Sequence, residues 1–130
     1  MWHHRPVDPQ RFPILFTGLN KTMGVIGMGP GTCYVELDAD VLTVRMGVGF
    51  RARVARNAVR SAALDLDPVR AWGVHGWRGR WLVNGASVNI VRLDLDPPVR
   101  AHVLGFPVAL RQLRLSMVDP EGLIEALGAI

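Results

Sequence analysis

A mainly β fold is what the sequence predicts: an antiparallel barrel or strongly curved sheet of about seven strands, followed by one C-terminal α-helix. Three observations predict it. From residue 32 onward apolar residues recur with period two, the signature of half-buried strands. Glycine and proline, 14 and 9 of 130 residues, punctuate these runs too often for long helices. Only the last dozen or so residues carry a capped, amphipathic helical pattern.

Residues 1–31 read as a Pro- and Gly-rich lead-in packing on a domain that spans 32–130. Gly27, Gly29, Pro30 and Gly31 are loop punctuation. No Gly-Lys-Ser/Thr follows them, so they do not form a phosphate-cradling loop. Residues 12–26 are apolar enough to cover part of a core, as a short helix or an irregular strap; a true strand there would change the topology. Cys33, Val35 and Leu37 then point one way, and Asp38–Asp40 turn the chain. Leu42, Val44 and Met46 face inward with Thr43 and Arg45 opposite. Phe50, Ala52 and Val54 follow, with Arg51 and Arg53 outward. A short strand is expected over 58–66. Residues 68–79 read as irregular, because Pro68, Gly73, Gly76 and Gly79 interrupt them. Strands at 80–84 and 88–95 flank Asn84-Gly85, a strong hairpin-turn pair. Val99, Ala101 and Val103 make a short strand with Arg100 and His102 opposite. Leu113, Leu115 and Met117 make the last one, with Arg114 and Ser116 outward. Asp119 is an N-cap, Pro120 suits the first helical position, and Leu123, Ile124 and Leu127 share one face before Gly128. An echo between Leu64–Ala71 and Leu93–Ala101 is too short for a repeat architecture.

Length and an apolar fraction of 49% fit one globular domain able to bury a core without disulfides or metals. The balance of 15 basic to 11 acidic residues, net +4, permits an anionic partner without demanding one. Fourteen of the fifteen are arginine, Lys21 being the exception. Either GC-rich coding or selection for a planar, phosphate-gripping fork explains that skew. A lone Cys33 excludes an intrachain disulfide and suits a reducing cytoplasm. The N-terminus lacks a secretory pattern, and Phe12–Phe16 is too short to span a bilayer.

Three stretches resemble the small pleckstrin-homology-like (PH-like) domains of actinobacterial type. They are Gly29-Pro30-Gly31-Thr32 leading into strands that end at Arg45-Met46-Gly47, Ala55–Ala62, and Leu115–Leu123. Ala55 stands where a proline is common in that group. The resemblance covers roughly residues 29–130 and implies a PH-like barrel plugged by the terminal helix; fold by itself carries no function.

Two segments stand out as candidate sites. Trp72, His75, Trp77, Arg78, Arg80 and Trp81 bring aromatic planes beside guanidinium groups, which suits a ligand or partner; the same tryptophans would equally plug a barrel. The arginine stripe Arg51, Arg53, Arg56 and Arg60 suits an anionic surface, or is simply a solvated face. Arg51-x-Arg53 resembles in composition the Arg-x-Arg with which eukaryotic PH domains bind phosphoinositides, but it follows the first hairpin and lacks the lysine partner. His3 and His4 are adjacent, His75 and His102 isolated, and the pairs Asp65/Asp67 and Asp94/Asp96 read as strand ends, so no metal or other cofactor is expected. Ser61, Ser87 and Ser116 lack a nucleophile-elbow context, and Cys33 sits on an inward register.

The expectation is a non-enzymatic, cytoplasmic binding or adaptor module that contacts a protein partner or the anionic inner-membrane surface. Nucleic acid is not expected, since the strand faces lack an aromatic ladder. The alternatives are a small-ligand carrier or enzyme with a pocket lined by Trp72, Trp77 and Trp81, and a structural homodimer pairing exposed strand edges.

Overall fold

Apolar residues two apart along 33–54 all turn to one side, and that shared side builds the core. The computed structural model describes residues 9–15, 32–47, 49–66, 73–77, 79–84 and 88–128. Its strands are β1 (Gln10–Pro13), β2 (Cys33–Leu37), β3 (Val41–Met46), β4 (Phe50–Ala55), β5 (Val59–Leu64), β6 (Gly73–Trp77), β7 (Arg80–Asn84), β8 (Ile90–Val103) and β9 (Phe106–Ser116). A 3-10 turn at Arg56–Ala58 links β4 to β5, and one helix, α1 (Pro120–Leu127), follows β9.

Eight strands follow one path, β1-β2-β3-β4-β8-β9-β7-β6, and β5 joins β8 off it. Their ladders do not close into a barrel. A single bridge, Ile14 to Met117, ties β1 to the chain just after β9, with Leu15 N donating to Ser116 O at 2.9 Å. β8 holds the halves together. Residues 91–95 pair with β5, and after a register shift between Asp94 and Val99 residues 101–103 pair with β4. Asp96, Pro97 and Pro98 fill that irregularity at exposed positions, with a cis Asp96–Pro97 bond. Proline offers no ladder donor, so a bulge is where a sheet tolerates it.

Cys33, Val35, Leu42, Val44, Met46, Phe50, Val54, Leu93, Leu110, Leu113, Leu115 and Met117 are all essentially sealed from solvent. Burial of each large member contributes about 1.5–3 kcal/mol. α1 adds Leu123 and Leu127 to this core. Asp119 caps it, its Oδ1 accepting from Gly122 N at 2.9 Å.

Several expectations need correction. Among the described residues strands number nine rather than about seven, and β7 runs parallel to β9 while the other strand pairs are antiparallel. Residues 10–13 form a true edge strand, while 16–31 lie outside the described residues. Residues 73–77, read as irregular, are strand β6. Their glycines are held by pairing with β7, and Gly79, at φ +84°, supplies the turn between them. The hairpin expected at Asn84-Gly85 does not pair its arms: β9 lies between β7 and β8, so a long-range partner displaces the local one. Val99–Val103 continues β8 rather than forming a separate strand, and the last strand begins at Phe106 instead of Leu113. Ser116 is buried, not outward, and its Oγ donates to Leu15 O at 3.0 Å where β1 crosses.

Candidate anion-binding site

Strand alternation that sends Val35, Val44, Ala52 and Ala101 inward sends their neighbours outward on the opposite face. The register then aligns those neighbours. Tyr34 stands opposite Arg45, Arg45 opposite Arg51, and Arg51 opposite His102, one row across β2, β3, β4 and β8. A second row runs Glu36, Thr43, Arg53 across β2 to β4. Tyr34, Thr43, Arg45, Arg51, Arg53, Arg100 and His102 line an open groove of about 360 Å³ with Val44 and Ala52 at its floor.

Charge in this groove is one-sided. Arg45, Arg51, Arg53 and Arg100 are exposed, and none has a carboxylate salt-bridge partner among the described residues. Glu36 is the one acidic residue on β2, β3, β4 and the 99–103 half of β8. Arg11 takes it at 2.9 Å while its guanidinium lies 4.0 Å over the Tyr34 ring. Asp38, in the turn between β2 and β3, is held by the N–H groups of Asp40 and Val41. Those bonds, more than the nearby Arg53 and Arg56, keep its carboxyl below the ordinary value. The groove therefore gathers four guanidinium groups whose natural complement is a multivalent anion: each fork matches two oxygens of a phosphate or carboxylate.

The expected arginine stripe divides. Arg51 and Arg53 enter the groove, but Arg56 and Arg60 do not. Arg56 donates to Asp38 O at 3.2 Å and to Ala126 O at 2.9 Å, fastening the end of α1 to the turn between β2 and β3. Arg60 donates to Asp96 O at 3.0 Å, bracing the bulge of β8. Arg45, Arg100, Tyr34 and His102 were missed as site residues. Their outward register was legible, but the pairing of β4 with a strand some fifty residues later was not.

Among the aromatic–basic residues, Trp72 and Arg78 lie outside the described residues. His75 and Trp77 are on β6, opposite Leu82 and Arg80 of β7. Arg80 is exposed, and Trp81 is half-buried, packed against the core. Cys33 is sealed in the core, where burial pushes its thiol up from the ordinary value, away from the reactive thiolate. No group of three or more His, Cys, Asp or Glu side chains converges among the described residues. Among them, too, no helix is long and apolar enough to cross a membrane. No protein-family model, curated protein or solved structure matches the chain.

Proposed function

We propose that this chain is a non-enzymatic binding module that seats a multivalent, phosphate-bearing anion on the groove formed by Arg45, Arg51, Arg53 and Arg100. One observation carries the reading: four exposed arginines on adjacent strands line one groove with no carboxylate among its described lining residues, two of them directly opposite each other. Like charges facing across a ladder destabilise it, and an anion binding between them relieves that repulsion. The proposal includes a cytoplasmic setting, with the anion carried by the inner-membrane surface or by a protein partner. It also includes kinship with PH-like domains. A strand meander ending in a capped helix supports that kinship; the nine strands and the parallel β7–β9 pair depart from it.

The test is calorimetric titration of the full chain with inorganic tripolyphosphate at low and high salt. Each arginine–phosphate contact contributes about 1.5–3 kcal/mol. Arg45→Ala/Arg51→Ala is therefore expected to weaken binding by about tenfold or more, and salt to weaken it progressively. Arg80→Ala/Arg111→Ala, the same charge loss on other strands, is the control. Equal effects of the two double variants, or no binding by the unaltered chain, would overturn the assignment.

A further inference from the structure

The turn between β8 and β9 has an unusual composition for its geometry. Its two central residues, Leu104 and Gly105, both have positive φ, at 50° and 85°. That is the pattern of a two-residue type I′ turn, whose first position ordinarily holds Asn, Asp or Gly. A leucine there is sterically disfavoured. Leu104 is also 68% exposed, and Phe106, which closes the turn opposite Val103, is 73% exposed. Two large apolar side chains thus project from one strained tip, where neither contributes to the core. An observed backbone outlier carrying exposed apolar groups points to a contact made elsewhere.

The tip sits at the arginine groove. His102, two residues before Leu104, faces Arg51 across β8 and β4. Leu104 N donates to Gly49 O at 3.1 Å, fastening the tip to the turn between β3 and β4, from which Arg45 and Arg51 emerge. At this end of the sheet Leu104 and Phe106 project from the tip, Phe106 in the register of the core face, while Arg45 and Arg51 stand on the outward face with no carboxylate salt bridge among the described residues. A soluble anion complements only the second; the surface of an anionic bilayer complements both, with phosphates at the headgroup level and hydrocarbon just below.

We infer that the β8–β9 turn is a membrane-inserting wedge: Leu104 and Phe106 enter the acyl boundary of an anionic bilayer while Arg45, Arg51, Arg53 and Arg100 hold its phosphates. This rests on the anion-binding reading above and names its source as lipid.

The experiment is co-sedimentation of the full chain with phosphatidylcholine vesicles, with and without phosphatidylglycerol, at low and high salt, alongside titration with tripolyphosphate. Leu104→Asn/Phe106→Ser is the tip variant, and Phe106→Ala alone is the milder second one. The expected result is binding to the phosphatidylglycerol vesicles only, weakened about tenfold or more in the tip variant. That loss persists at high salt, tripolyphosphate affinity is unchanged, and Phe106→Ala falls between. Tip variants that bind vesicles as the unaltered chain does would overturn the wedge and leave the anion site standing. So would an unaltered chain that binds tripolyphosphate but no vesicle. Failure to bind either probe would overturn both.

Discussion

Arg45 and Arg51 stand directly opposite each other on β3 and β4, on the outward face, with Tyr34 and His102 extending the row on either side. An antiparallel pair gains from opposite charges in such positions and loses from like ones. The core beneath, Val44 against Ala52 and Met46 against Phe50, fixes the register, so the arginines cannot slip apart without exposing those side chains. The repulsion is thus imposed by the same alternation that builds the fold.

Relieving it should stabilise the free protein. Arg45→Thr keeps a good strand former and removes one charge of the pair, so it is expected to raise stability by about 0.2–1 kcal/mol. Urea unfolding at low salt should show the gain, and added salt should shrink it. The same substitution is expected to weaken tripolyphosphate binding, so stability and affinity should move in opposite directions.

Arg56 predicts the reverse pairing of effects. Its guanidinium donates to two backbone carbonyls, Asp38 O and Ala126 O, joining the turn between β2 and β3 to the end of α1. Arg56→Ala is expected to cost about 1.5–3 kcal/mol, the range for hydrogen bonds to a charged group. Its tripolyphosphate affinity should remain that of the unaltered chain. Denaturant midpoint and titration, measured on one preparation, separate the two arginine classes.

Helix α1 depends on a cap that a routine stabilising substitution would disturb. Asp119→Ala removes the acceptor for Gly122 N and should cost about 0.5–2 kcal/mol. Gly122→Ala, ordinarily favourable in a helix, places its Cβ against the Asp119 carboxylate. The carboxylate must then swing away, so Gly122→Ala is expected to give no gain in melting temperature, and in an Asp119→Ala background it should stabilise.

Acid sensitivity should trace partly to Asp94. Its carboxylate accepts from Ser61 Oγ at 2.7 Å, the largest influence holding it below the ordinary value of 3.8, and from Gln112 Nε2 at 3.3 Å. A carboxyl depressed in the folded state stabilises the fold above its unfolded pKa, and that contribution is lost as pH falls through the folded value. Ser61→Ala removes part of it. The stability difference between Ser61→Ala and the unaltered chain should therefore be full above about pH 5 and shrink as pH falls below the unfolded carboxylate value. Urea midpoints between pH 7 and pH 2.5 measure it.

What the sequence made legible follows a physical divide. Inward and outward positions of β2, β3 and β4 are readable because alternation needs only local chain geometry, and that alternation alone places Arg51 and Arg53 outward. The cap at Asp119 and the apolar face of α1 were readable for the same reason. Sheet order was not. β8 could not be seen as one strand, because Pro97 and Pro98 look like an ending until the bulge that accommodates them is in view. Without β8 beside β4, Arg100 and His102 belonged to no site. The local Asn84-Gly85 signal likewise gave way to β9, whose apolar residues Leu113 and Leu115 fill the slot between β7 and β8. Arg56 and Arg60 show the remaining limit: spacing places a side chain on a face, but the carbonyl it finds is set by elements far along the chain.

The strained tip gives the last prediction. Leu104 holds φ at 50°, a conformation that a leucine adopts at a cost of about 1–2 kcal/mol and asparagine tolerates readily. Its side chain is largely exposed, so little packing is lost when it is replaced. Leu104→Asn is expected to raise the unfolding free energy by about 1 kcal/mol, whereas Phe106→Ser, with no such strain to relieve, should leave it within about 0.5 kcal/mol. Thermal and urea unfolding of the two single variants distinguish them. If Leu104→Asn stabilises as expected, the leucine proposed to enter lipid is held at the expense of the free fold, the same opposition expected of Arg45 opposite Arg51.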